Sequence, residues 1–300
     1  MKWYLSPFTI DRMMRVAFQG VHGAFSEVAA RAFFRESCTT MPCATFGDVF
    51  AAVEQKRADC GIIPIDNSLA GSIHHNYDLL LAHALHIVGE IHLRIEHALM
   101  CHRAASMRTL RRVRSHPMAL DQCSAFLSRF PSLQREAYFD TAGAAASIAQ
   151  TQDLETAAIA GEYAATLYGL KVLRRNIENR LHNFTRFLVL SRSPGQPKRG
   201  VRAKTSIVFI PTTNETGILF RSLGVFYVRN IDLLKIESRP DPDAPFEYMF
   251  YLDLEGSPSS RHVAEALEHL QELTKMFRLL GVYPMGKGDF YGAASRRRRH

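Results

Sequence analysis

The segment HNFTRFLVL, residues 182–190, sets a hydroxyl and a guanidinium, Thr185 and Arg186, at the mouth of an apolar run. If the segment is extended, Asn183, Thr185 and Phe187 point one way and Phe184 and Arg186 the other. A threonine hydroxyl donates one hydrogen bond, and an arginine clamps a carboxylate through two parallel bonds. Together they could donate to a ligand oxygen and clamp a carboxylate. They equally suit a strand start next to a surface arginine, and the pattern alone does not separate the two. A second set of small and polar residues recurs in turns: Gly20, Gly23, Ser26, Asn67, Ser68, Gly71, Ser72 and Thr141. Small residues let an anion approach backbone N–H groups, which at the head of a helix carry the positive end of its dipole. Any one of them also suits ordinary capping; as a set they point to a binding cleft.

The elements that would position these residues repeat one pattern. RVAFQG leads into VHGAFSEVAARAFF, CGIIPIDNSLAGS into IHHNYDLLLAHAL, RRVRSHP into MALDQCSAFLSRF, YFDT into AGAAASIAQ, and TAAIAG into EYAATLYG. Each is a short apolar strand, a small or polar turn, then a helical stretch. Ile73, Tyr77, Leu80, Leu81 and Ala84 recur at helical spacing, so that helix buries one face. Pro117 suits a first helical turn and Thr141 an N-cap. Alternating strands and helices predict an α/β fold with a largely parallel sheet, and such sheets bind ligands outside the carboxyl ends of their strands. SRSPGQPKRGVRAK, residues 191–204, has linker composition. Beyond it KTSIVFIP, TGILFRSLGVFYVRN, IDLLKIESRP, FEYMFYLDLEG, SSRHVAEALEHLQELTKMF and RLLGVYPM read as βαββαβ, a ferredoxin-like order. In the fourth of these, Tyr248, Phe250, Leu252 and Leu254 share one face, and Glu247, Tyr251, Asp253 and Glu255 the other.

Other chemistries find no support. FQGVHG is not GxGxxG, and there is no GxxxxGK[ST], HExxH or GxSxG. EIHLRIEHALMCH alternates as one strand, which sends His92 and His97 to opposite faces and argues against a metal site with His102. His74 and His75 open a helix near Ser72, one of them placed to reach a cleft. The five cysteines are odd in number and form no CxxC, so they read as free thiols with no zinc site. The formal charge of +8 includes Arg296 to Arg299; without those four it is +4, and no nucleic-acid module is recognisable. No run is long and apolar enough for a membrane span, and the first residues show no apolar leader, which reads as a cytoplasmic protein.

The quoted stretches resemble the prephenate and arogenate dehydratases, from VAFQGVHGAFSEVAA through GIIPIDNSLAGSIHHNYDLLLAHALHIVGEI, SHPMALDQC, DTAGAAA and NFTRFLVLSR to KTSIVF, GILF, KIESRP and LGVYPM. The resemblance implies a two-lobed, mostly parallel-sheet catalytic region like a type II periplasmic-binding fold over 14–193. It implies a linker at 194–203, a ferredoxin-like ACT domain at 204–286 and a basic tail at 287–300. It implies prephenate dehydratase activity, giving phenylpyruvate, water and carbon dioxide without a cofactor or metal. The alternatives are arogenate dehydratase, giving phenylalanine directly, and a non-catalytic small-molecule sensor. By the same resemblance Thr185 is nearest the chemistry, and Asn67, Ser68, Ser72, Thr141 and Arg186 bind substrate while Phe187 packs the cleft. Gly217, Ile218, Leu219, Phe220 and Glu237, Ser238, Arg239, Pro240 then form an effector site for phenylalanine, in a homodimer or homotetramer. Arogenate carries an ammonium group, for which Asp66 or Glu27 offers a carboxylate. Asp66 stands where the family often has glutamate.

Overall fold

The computed structural model describes residues 13–198, 200–241 and 244–286, which fall into two compact units; the basic tail lies outside the described residues. One unit takes Ile91–Phe187 with the described residues up to Asn76. The other takes Tyr77–Glu90 with the described residues from Leu188 onward.

The chain begins β1 (Met14–Gln19), α1 (Phe25–Phe34), β2 (Cys38–Cys43), α2 (Phe46–Glu54), β3 (Cys60–Asn67), β4 (Gly71–Ser72), α3 (His74–Ala82) and β5 (His86–Arg94). It continues β6 (Ala98–Cys101), β7 (Arg112–Ser115), α4 (Pro117–Gln122), α5 (Ser124–Leu127), β8 (Gln134–Ala137), α6 (Thr141–Thr151), β9 (Thr156–Ala160), α7 (Glu162–Tyr168), β10 (Lys171–Arg174) and β11 (Phe184–Ser191). Two sheets result, β2-β1-β3-β11-β5 with β4 on β3, and β10-β6-β9-β7-β8. The pairs β1/β2, β1/β3, β7/β8 and β7/β9 are parallel, while β4/β3, β6/β9 and β10/β6 are antiparallel, so both sheets are mixed. Val16, Ala17 and Phe18 are fully buried in succession, as a strand covered on both faces requires.

Local chemistry explains the boundaries. Thr45 and Asp48 form a reciprocal capping box at α2. Pro117 occupies the first position of α4, where its missing N–H costs nothing. Thr141 is not the cap of α6: Asp140 is, accepting from the Gly143 N–H, and Thr141 is the first helical residue. The single strand expected through His92 and His97 is broken at residues 95–97. There the Ile95 N–H donates to the Asn183 carbonyl and the His97 N–H to the Glu178 carboxylate, so neither joins the β6 ladder. All five cysteines are free and buried, and burial pushes the Cys123 thiol up to about 12.

Past the linker come β12 (Ala203–Pro211), α8 (Ile218–Tyr227), β13 (Leu233–Pro240), β14 (Tyr248–Glu255), α9 (Arg261–Glu272) and β15 (Thr274–Pro284). The order is the expected βαββαβ, in an antiparallel sheet β13-β14-β12-β15. The last strand takes in Thr274 to Phe277, which the helical pattern had claimed, because these residues pair with β12. Ile207, Phe209, Leu252 and Leu254 pack with Val225, Phe226, Val263, Leu267 and Leu270 of the two helices. The opposite face is also buried within this unit. Tyr251 donates to the Tyr77 carbonyl at 2.8 Å, and Lys204 meets Glu90 at 2.8 Å with both side chains fully buried.

Candidate active site

A cleft of about 540 Å³ opens in the first unit, where the strands end and the helices begin. The carboxyl end of β1 supplies Gln19 and Gly20, with Ser26 at the start of α1. The end of β3 supplies Pro64 and Asn67. His116 after β7 and Met118 in α4 come next, followed by Asp140 after β8 and Thr141 at the start of α6. Thr185 and Phe187 on β11 and His97 in the strand break complete it. This is the position the strand–turn–helix pattern predicts, with helix N-termini facing the space. Gly23 holds the β1–α1 turn at φ +92°, and a Cβ there would lie 3.2 Å from the Ala164 backbone, so the turn requires glycine.

A hydrogen-bond chain polarises the cleft in one direction. The N–H groups of Leu69 and Ala70 both donate to Asn67 Oδ1 at 2.9 Å. Backbone donors cannot be reversed, so they fix which end of the Asn67 amide is oxygen. Its Nδ2 therefore donates, to Asn183 Oδ1 at 2.8 Å, to the Phe184 carbonyl at 3.2 Å and to Thr185 Oγ1 at 2.9 Å. Asn183 then presents its own Nδ2 to Gln122 Oε1 at 3.1 Å. Gln122 Oε1, now an acceptor, lies 2.9 Å from His97 Nε2, which must carry the proton. Neutral His97 is thereby left with a lone pair on Nδ1. Burial holds its pKa below the ordinary histidine range, against the opposing pull of Gln122 and Glu178. At the other end, Thr185 accepts from Asn67 and donates to no acceptor among the described residues, so its proton is free for a ligand in the cleft.

The expected site residues separate into groups. Asn67, Thr141, Thr185 and Phe187 line the cleft together. Ser68, Ser72 and Arg186 do not: Ser68 ties the Phe184 N–H and the His182 carbonyl, and Arg186 is buried at 7% exposure on the strand face opposite Thr185. Glu27 is 1% exposed and fully engaged by Gly23, Arg31, Thr40 and His22, while Asp66 lies outside the lining. His74 and His75 are exposed and stand away from the cleft lining. The pattern missed Asp140, His97 and Gln122. SHPMALDQC holds a signal for Gln122, which falls in α4 facing the cleft, but nothing in periodicity reveals a strand break at His97. Among the described residues no cluster of three or more His, Cys, Asp or Glu is placed to hold a metal ion.

In the second unit, Gly217, Ile218 and Leu219 line a smaller cavity of about 220 Å³ with Asn214, Glu215 and Tyr248. Phe220 points out at 80% exposure. Glu237, Ser238, Arg239 and Pro240 stand outside that lining; Arg239 is clamped by Asp78 at 2.8 Å and Glu237 faces Lys235 at 3.7 Å.

The chain matches the Prephenate dehydratase family over residues 16–195. It is 46% identical over 281 residues to arogenate dehydratase/prephenate dehydratase 2, chloroplastic, of Arabidopsis thaliana, covering 91% of this chain and 73% of that protein. Among solved structures, GqqA, described as a novel type of quorum quenching acylase, superposes with a TM-score of 0.83 at 35% identity, covering 92% and 99% of the two chains. The prephenate dehydratase of Arthrobacter aurescens in complex with L-Phe does so with a TM-score of 0.81 at 27% identity, covering 90% of each. The plastid location in the Arabidopsis protein's name overturns the cytoplasmic expectation. That expectation used the lack of an apolar leader, yet plastid transit peptides are amphipathic and Ser/Arg-rich, so they have none to find. With a matching catalytic region and a βαββαβ ACT-like unit behind it, the chain belongs to the prephenate dehydratase family, decarboxylating dehydratases acting on prephenate or arogenate toward phenylalanine.

Proposed function

We propose that arogenate is the preferred substrate and phenylalanine the direct product. The observation that carries this reading is the charge of the cleft: its lining includes one carboxylate, Asp140, and no lysine or arginine. Prephenate brings two carboxylates and a keto group. Arogenate replaces the keto group by an ammonium and so brings one less net negative charge. A cleft whose anion-binding power rests on helix N-termini and hydroxyls favours the less anionic ligand. The relatives' names, in which arogenate dehydratase recurs, support the same reading.

In the reaction the ring carboxylate leaves as carbon dioxide and its bonding pair enters the ring. The C–O bond opposite breaks with its pair on oxygen, which takes up a proton and departs as water. Aromaticity drives the change. The role left to the protein is to hold the anions at Ser26, Thr141 and nearby N–H groups, and to stabilise charge on the departing oxygen. The Thr185 hydroxyl suits that task because Asn67 already donates to its oxygen, leaving its O–H to donate to a ligand. Acyl transfer would instead need a base to take that proton, and no carboxylate or imidazole accepts it among the described residues. Turnover of the two substrates in competition at neutral pH tests the proposal. A higher kcat/KM for arogenate is expected; a tenfold preference for prephenate overturns it.

For the second unit, phenylalanine binding at Gly217–Leu219 and self-association through exposed Phe220 and Tyr227 of α8 and Val228 just after it extend the same reading to feedback inhibition in a homodimer or homotetramer.

A further inference from the structure

Two acceptors in the cleft are left without partners. Asp140 Oδ1 caps α6, but its Oδ2 is buried with no hydrogen bond. His97 is only 2% exposed, and its Nδ1 is likewise buried with no partner. Both residues line the cleft that holds Thr185. The amide chain from Asn67 to Gln122 makes His97 Nδ1 a lone-pair acceptor, so it can receive a proton donor and cannot supply one. Phe25 holds the imidazole edge-on at 5.6 Å, keeping the ring in place. Gly20 also lines the cleft, and a Cβ on it would stand 3.6 Å from Asp140 Oδ2, so its missing side chain leaves room beside that oxygen. A buried acceptor without a donor is costly, and a cleft holding two of them awaits a ligand that brings donors.

We propose that Asp140 Oδ2 and His97 Nδ1 together receive the ammonium group of an amino-acid substrate and thereby select it over the corresponding keto acid. The proposal rests on the arogenate reading and deepens it. An ammonium brings three donors and a positive charge, answering the carboxylate with a charge-assisted bond and the imidazole with a neutral one. A keto oxygen has no donor. In the same position it would confront two acceptors, leaving all three lone pairs desolvated and unpaired, which is how a polar site rejects an analogue. Burial raises the Asp140 pKa, against the pull of nearby backbone N–H groups and of His116.

Asp140→Asn tests this in the full chain. Asparagine still caps α6 through its oxygen but turns Oδ2 into a donor that repels ammonium and welcomes a carbonyl. The ratio of kcat/KM for arogenate to that for prephenate should fall about 30-fold or more, the cost of one charge-assisted bond. Asp140→Ser, which also keeps the cap, should lower the same ratio, and an unchanged melting temperature in either variant separates the effect from misfolding. A ratio that stays within threefold of wild type while both activities drop, or while neither does, overturns the acceptor pair. The wild-type ratio is the separate test of the arogenate reading: a wild type that prefers prephenate removes that reading before any variant is made.

Discussion

At Thr185 the useful property is polarity as well as position. The hydroxyl accepts from Asn67 at 2.9 Å, and Asn67 is fixed by two backbone donors. The donor role of the threonine is thus set by the backbone N–H groups of the turn after Asn67. Thr185→Val keeps shape and branching but removes the donor. Its kcat should fall by about 100-fold to 10,000-fold, the range for losing a positioned proton donor. Stability should change by no more than about 1 kcal/mol, because Asn67 keeps its bonds to Asn183 and Phe184. Thr185→Ser should retain most of the turnover. Steady-state rates beside thermal melts decide the matter, and equal losses in the Val and Ser variants would refute a role for the hydroxyl.

At the level of the element, α1 shows how a fold can consume a residue that looks available. Glu27 lies in the first helical turn, where the dipole favours a carboxylate. One oxygen accepts the Gly23 N–H at 2.7 Å, and the other meets Arg31 and Thr40 at 2.8 Å. Burial acts to raise its pKa, but the bonds from Gly23, Arg31, Thr40 and His22 outweigh it and the pKa is lowered from 4.5. The carboxylate therefore stabilises the fold fully above 4.5, and that contribution is lost as pH falls through the lower folded value. Glu27→Gln should cost about 2–4 kcal/mol at neutral pH by leaving Arg31 and buried donors poorly matched. Denaturant unfolding from pH 7 to about pH 3 should show the gap between variant and wild type closing; a constant gap would contradict the assignment.

On the scale of the whole molecule, the second unit buries both faces of its four-stranded sheet. One face is the apolar bed for α8 and α9; the other carries Lys204, Ser206, Tyr251 and Tyr283. Lys204 is fully buried and bound to Glu90, which also accepts the Gly286 N–H at 2.8 Å. A buried pair contributes little net stability, yet losing one partner strands the other. Lys204→Met should therefore cost about 3–5 kcal/mol, and adding Glu90→Leu should recover most of it. Urea midpoints for the single and double variants measure this; a single variant within about 1 kcal/mol of wild type would show that water reaches the pair.

The sequence by itself determined the alternation of strands and helices, the βαββαβ order after the linker, and the turns where the cleft opens. These follow from periodicity, capping and small residues, which act within a few positions of each other. Asn67 was legible for the same reason, at the turn where β3 ends, whereas Thr185 at the start of β11 was singled out only by the family resemblance. Tertiary structure alone decided that they touch across 118 positions, and that Glu27 is spent on Gly23, Arg31 and Thr40 while Asp140 faces the cleft. It also decided that β5 and β6 part at His97, since the bonds that replace the ladder come from Asn183 and Glu178, more than eighty residues on. A buried polar atom is satisfied by whatever the fold brings within about 3 Å, and that neighbour is set by packing between distant segments rather than by local pattern.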